Sequence, residues 1–107
     1  MRVQFEGAEA LFMLGTDDNV ASVENVDVEV ILNDGSRWSA TFISLAEIGR
    51  VMERWKATGE HLSGTYLRVP DLILVNQGGI EEMVSVLNSI LAGGSLETAL
   101  VRIDIEE

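Results

Sequence analysis

A chain of 107 residues, 47% of them hydrophobic, has the length for one domain over residues 1–107 and too much apolar content for disorder. Without cysteine it has no disulfide framework, no thiolate zinc site and no cysteine nucleophile. Its 18 acids against 7 bases give a formal net charge of −11, which repels nucleic acid and anionic lipid and favours encounter with basic proteins.

The opening, MRVQFEGAEALFMLG, carries one arginine and then acids. It lacks the continuous apolar region of a signal peptide, and no later run is long enough to span a membrane. Cytoplasm is the expected compartment. The stretch ALFMLG is expected to form a strand, ended by the turn cluster Gly15-Thr16-Asp17-Asp18. The run from Val26 to Leu32 alternates valines with Asp27 and Glu29, the period of a half-buried strand. Arg37 to Ile43 alternates again, with Trp38, Ala40 and Phe42 on one face.

Between these runs lies Asn33-Asp34-Gly35-Ser36, a hairpin signal. A two-residue turn would put carboxylates on the Trp38 face. A three-residue turn pairs Val30 with Trp38, Val28 with Ala40 and Val26 with Phe42. Because a one-residue slip inverts a whole face, the second register is predicted, with Gly35 left-handed. Asp27 and Glu29 then point away from the core.

Ser44-Leu45-Ala46-Glu47 reads as a capping box opening a helix. Leu45, Ile48, Met52 and Trp55 recur at helical spacing up to Thr58-Gly59, so Ile48, Met52 and Trp55 are expected in the core beside Trp38. After GEHLSG, Tyr66–Val69 and Leu72–Val75 read as extended. A second helix is predicted from Ile80 to Ala92, ending at Gly93-Gly94, and ETALVRIDIEE reads as a last strand. The expected class is α+β: an antiparallel or mixed sheet of five to six strands with two amphipathic helices packed on one face.

No motif names a reaction. His61, the single histidine, lies in a polar loop without an evident orienting partner. Val75-Asn76-Gln77-Gly78-Gly79-Ile80 superficially suggests a phosphate cradle. It lacks the phosphate-binding spacings, and Glu81 and Glu82 occupy the first helical turn. Asp17-Asp18-Asn19 lacks the spacing of a calcium loop. Arg50 and Arg54 sit near Glu47 and Glu53 as intrahelical ion pairs would. Trp38 and Trp55 occupy packing positions. No catalytic residue, cofactor or metal is expected.

Three segments carry a resemblance: NDGSRWSATFISLAEI, WKATGEHLSGTYL and DLILV. They resemble a group of small bacterial α+β proteins to which no biochemistry is assigned. The shared pattern is an acidic strand pair closed by a DG turn, an ATF-x-x-L helix entry, a TGE-x-L-x-G loop and a D-x-I-x-V strand. In size and acidity the chain also resembles the immunity proteins of polymorphic toxin and contact-dependent inhibition systems. Those resemblances imply a binding protein and carry over no catalytic residue.

The segment from Val3 to Ser36 holds no base, although the chain holds seven bases. The expectation is therefore a non-enzymatic protein whose acidic strand face meets a basic, nuclease-like partner. Asp17, Asp18, Asp27, Glu29 and Asp34 are its expected contacts. Two other readings stand: a small enzyme or enzyme subunit using carboxylates near residues 59–66, and a homo-oligomeric module using a sheet edge.

Overall fold

The computed structural model describes residues 1–105. Ten elements follow in order: β1 (Arg2–Phe5), β2 (Ala8–Phe12), β3 (Asn25–Leu32), β4 (Arg37–Ser44), α1 (Leu45–Thr58), α2 (Glu60–Gly64), β5 (Leu72–Val75), α3 (Ile80–Gly93), α4 (Leu96–Ala99) and β6 (Val101–Arg102). The class is α+β, with six strands and two long helices. The sheet runs β1-β2-β3-β4-β5, and β6 pairs with the far end of β4. All pairs are antiparallel except β4 with β5. Among the described residues no helix is long and apolar enough to cross a membrane.

The central hairpin takes the predicted register. Val30 faces Trp38, Val28 faces Ala40 and Val26 faces Phe42. Gly35 has φ +85°, the left-handed value that closes a three-residue loop and that a side chain would resist. The result is one apolar face: Ala8, Ala10 and Phe12 of β2, with Val26, Val28, Val30, Trp38, Ala40 and Phe42. Helix α3 lays Ile80, Met83 and Leu87 onto it, and Leu96 and Leu100 close one end. Phe12 and Phe42 stack with centroids 6.4 Å apart.

Several local expectations are corrected. Ala8–Phe12 forms β2, so the strand begins before ALFMLG and excludes Met13 and Leu14. Residues 2–5 add β1, and the first hairpin turns at Glu6-Gly7. Tyr66–Val69 is not a strand. Of the C-terminal run, Val101–Arg102 forms strand and the Ile103 amide donates to Arg37 O at 2.9 Å, while Ala99 ends a short helix. Glu106 and Glu107, the last residues of that expected strand, lie outside the described residues.

The larger correction concerns α1. It starts and ends where predicted, but only half of the capping box forms: the Glu47 amide donates to Ser44 Oγ at 3.1 Å, while the Ser44 amide donates to Glu24 O at 2.8 Å and the Glu47 carboxylate lies 3.6 Å from Arg50; Gly59 caps the C-terminus. Yet α1 has no buried residue, and Ile48, Met52 and Trp55 lie outside the core. Periodicity marks an apolar stripe but does not say what the stripe meets. Here Met52 and Trp55 meet α2, which folds back so closely that a Cβ on Gly64 would lie 2.2 Å from the Met52 carbonyl oxygen. The pair forms an arm on the body. The radius of gyration, 14.7 Å, exceeds the about 13 Å of a compact domain of this size.

Candidate partner-binding face

Alternation along β3 and β4 puts Asp27, Glu29, Ser39 and Thr41 on the side of the sheet away from the core, Asp27 opposite Thr41 and Glu29 opposite Ser39. The parallel pairing of β5 then brings in Asp71, which lies just before that strand. Its carbonyl accepts from the Thr41 amide at 2.9 Å. The Ser39 hydroxyl donates to Asp71 Oδ2 at 2.7 Å. Thr41 Oγ1 lies 2.9 Å from Asp27 Oδ1 and 2.9 Å from Asp71 Oδ1.

A threonine hydroxyl has one proton and can donate to one of these carboxylates at a time. Two carboxylates therefore converge on one donor, their oxygens no further apart than twice 2.9 Å. Among the described residues, no base lies within 4 Å of either. Asp27 is exposed and Asp71 half-buried. This is a fixed pair of negative charges on a strand scaffold, and a cation arriving from outside would relieve their repulsion.

Three other acids of the segment are compensated, which the sequence does not suggest. Glu29 pairs with Arg37 at 2.9 Å, and Glu9 pairs with Arg2 at 3.2 Å. Glu24 pairs with Arg50, which also lies 3.6 Å from Glu47. All three arginines lie outside the base-free segment and reach it through sheet pairing or helix placement. The absence of bases between Val3 and Ser36 therefore does not leave the segment's charge wholly uncompensated. Such exposed pairs contribute only about 0–1 kcal/mol each, but they remove Glu29 as a free charge.

The five expected contact residues fall in three places. Asp27 and Glu29 share the outer face. Asp17 and Asp18 lie in the β2–β3 loop, where the Asp18 carboxylate accepts from the Gly15 amide at 2.7 Å. Asp34 lies at the other end of β3, in the hairpin turn. It accepts from the Ser36 hydroxyl at 2.6 Å and the Ser36 amide at 2.8 Å, while Ser36 Oγ accepts from Trp38 Nε1 at 3.0 Å. Those two bonds from Ser36 hold the Asp34 carboxyl below its ordinary pKa, with a smaller contribution from Arg102. Asp34 therefore also has a structural role.

Asp71 is the site residue that sequence reading missed. It is 44 positions from Asp27, and only the parallel β4–β5 register makes them neighbours. Its place at the head of the D-x-I-x-V segment was the available signal.

The remaining motifs resolve into packing. The His61 ring stacks on Trp55 at 4.0 Å and meets Tyr66 edge-on at 5.2 Å. Trp55 thus packs in the arm rather than in the core. At the glycine turn, the Gly79 amide donates to Val23 O at 2.7 Å and the Ile80 amide to Val20 O at 2.9 Å. The loop before β3 thus takes the amides that a phosphate would need. A Cβ on Gly78 would lie 2.7 Å from the carbonyl oxygens of Ser22 and Val23. Among the described residues no three His, Asp or Glu side chains gather as a metal site would require.

One cavity of about 440 Å³ opens between the β3–β4 turn and the α3–α4 end. Leu32, Leu91 and Leu96 supply apolar lining, and Glu6, Asp34 and Glu97 supply acids. Arg102 also borders it, 5.7 Å over the Trp38 ring, and bonds to Asp104 at 2.8 Å. That bond holds the Asp104 carboxyl below its ordinary pKa and raises that of Arg102. The chain matches no protein family, no curated protein and no solved structure.

Proposed function

We propose that this chain is a non-enzymatic acidic binding protein whose outer sheet face docks onto a basic protein, as an immunity protein docks onto a nuclease-like toxin. The observation that carries the reading is the convergence of Asp27 and Asp71 on Thr41 Oγ1 with no base within 4 Å among the described residues. Two like charges held together on a rigid sheet are unfavourable in the free protein. A lysine or arginine from a partner turns that repulsion into attraction, and a basic substrate groove offers such side chains. Pre-positioning by Ser39 and Thr41 limits the ordering cost on binding. The long-range field of a −11 chain raises the encounter rate.

The contact set shifts from the acid-rich segment as a whole to Asp27 and Asp71, with Glu29 and Arg37 as a paired border. The test is capture from host extract on immobilised wild type and on the Asp27→Asn/Asp71→Asn variant. A basic protein retained by wild type and lost by the variant supports the reading. Equal retention on both, or retention of acidic proteins only, refutes it.

A further inference from the structure

Residues 59–64 pose a separate problem. His61, Leu62 and Ser63 have φ of 49°, 52° and 57° and form a left-handed turn. A side chain in that conformation is disfavoured because its Cβ crowds the following carbonyl oxygen. The turn is nonetheless held firmly. Gly64 lies against the Met52 carbonyl, and His61 is clamped between Trp55 and Tyr66. At its apex Leu62 is 74% exposed. A leucine there carries both backbone strain and exposed apolar surface, and no core contact offsets either.

The charge around this apex runs against the rest of the chain. Residues 54–68 contain Arg54, Lys56 and Arg68 against Glu60, formally +2, which leaves −13 for the remainder of the −11 chain. Lys56 pairs with Glu53, while among the described residues Arg54 and Arg68 have no ion-pair partner. The exposed Leu62 therefore lies, in sequence, between Arg54 and Arg68, in a stretch of net positive charge. The cavity beside the β3–β4 turn is lined by Leu32, Leu91 and Leu96 and by the acids Glu6, Asp34 and Glu97, with Arg102 also at its border but bonded to Asp104. Its volume, about 440 Å³, lies within the roughly 300–1,000 Å³ of pockets that enclose small ligands. No residue of the arm lines it in its own chain.

We infer that the arm of one copy docks into this cavity of a second copy, Leu62 entering among Leu32, Leu91 and Leu96 while Arg54 and Arg68 meet the acidic rim. The contact is head-to-tail, so it either closes into a ring or propagates. It goes beyond the basic-partner reading and uses neither Asp27 nor Asp71.

The test is sedimentation equilibrium of the purified chain alone, in about 0.1 M salt, where a Debye length of about 10 Å screens the overall repulsion between copies. Wild type should rise with concentration to at least twice the monomer mass. Leu62→Asn suits the left-handed backbone better, so it should raise the melting temperature. It should also weaken association by about tenfold or more, equivalent to 1.4 kcal/mol. Arg54→Glu/Arg68→Glu and Glu6→Lys/Glu97→Lys should each weaken association alone, and mixing the two should restore it. A wild type that stays monomeric overturns the inference. So does association that survives Leu62→Asn, or a mixture that fails to recover.

Discussion

Replacing Gly64 with alanine tests whether the arm is built as described. Two penalties act there. The residue has φ +80°, and a Cβ would lie 2.2 Å from the Met52 carbonyl oxygen, where real contacts stay beyond 3.0 Å. Gly35 separates the two penalties, because it has φ +85° and no atom within 4 Å of the place a Cβ would take. Gly35→Ala should therefore cost only the left-handed term, about 1–2 kcal/mol. Gly64→Ala adds a clash with backbone, which cannot rotate away as a side chain can. The arm should open before the core fails, because α1 contributes no buried residue. The assay is amide hydrogen exchange with chemical denaturation. Gly64→Ala should speed exchange over residues 59–66 well beyond the effect of Gly35→Ala on its own hairpin, while Val28 and Phe42 amides keep most of their protection. Equal local effects of the two substitutions would refute the close α1–α2 contact.

Three further outcomes follow from the packing. Trp38 is 8% exposed in the core, so Trp38→Ala should cost about 3–5 kcal/mol in denaturant unfolding. Trp55→Ala should cost less than half as much, because Trp55 packs only in the arm, and equal losses would return α1 to the core. The Asp34 carboxyl should titrate below its ordinary range by NMR, and Ser36→Ala should move it back up by removing the hydroxyl bond. Since folding depresses this pKa, the carboxylate's contribution to stability is present above the unfolded value and is lost as pH falls through the folded one.

How far the sequence reveals this molecule depends on whether the signal is local. The β3–β4 register was legible because valine, alanine, tryptophan and phenylalanine alternate on both sides of Asp34-Gly35, and only one slip puts them on one face. Helix ends were legible at Ser44, Gly59 and Gly94 for the same reason. The burial of α1 was not, since Ile48, Met52 and Trp55 make an apolar stripe whether they meet a sheet or a short folded-back turn. Nor was the left-handed turn at 61–63, because of its three residues only His61 belongs to a type enriched at positive φ, and Leu62 and Ser63 give no such signal. The candidate face shows the same divide. Asp27 and Glu29 were placed on the outer side by alternation alone. That Arg37 neutralises Glu29, and that Asp71 joins Asp27, depends on cross-strand pairing. The parallel β5 contact follows an excursion of 27 residues after β4, whose end point no local pattern sets.

In the proposed function, a basic partner docks on the pair Asp27 and Asp71, which among the described residues has no base within 4 Å. The most direct test is the association rate of the captured partner with wild type and with Asp27→Asn/Asp71→Asn, at low and high ionic strength. Asparagine keeps the size of the side chain and removes the charge, so the fold should hold, and relief of repulsion should leave thermal stability unchanged or slightly raised. At low salt the variant should associate about tenfold more slowly, the lower end of the range for electrostatic steering, and the gap should close as salt rises. Equal association rates at low salt would contradict the account.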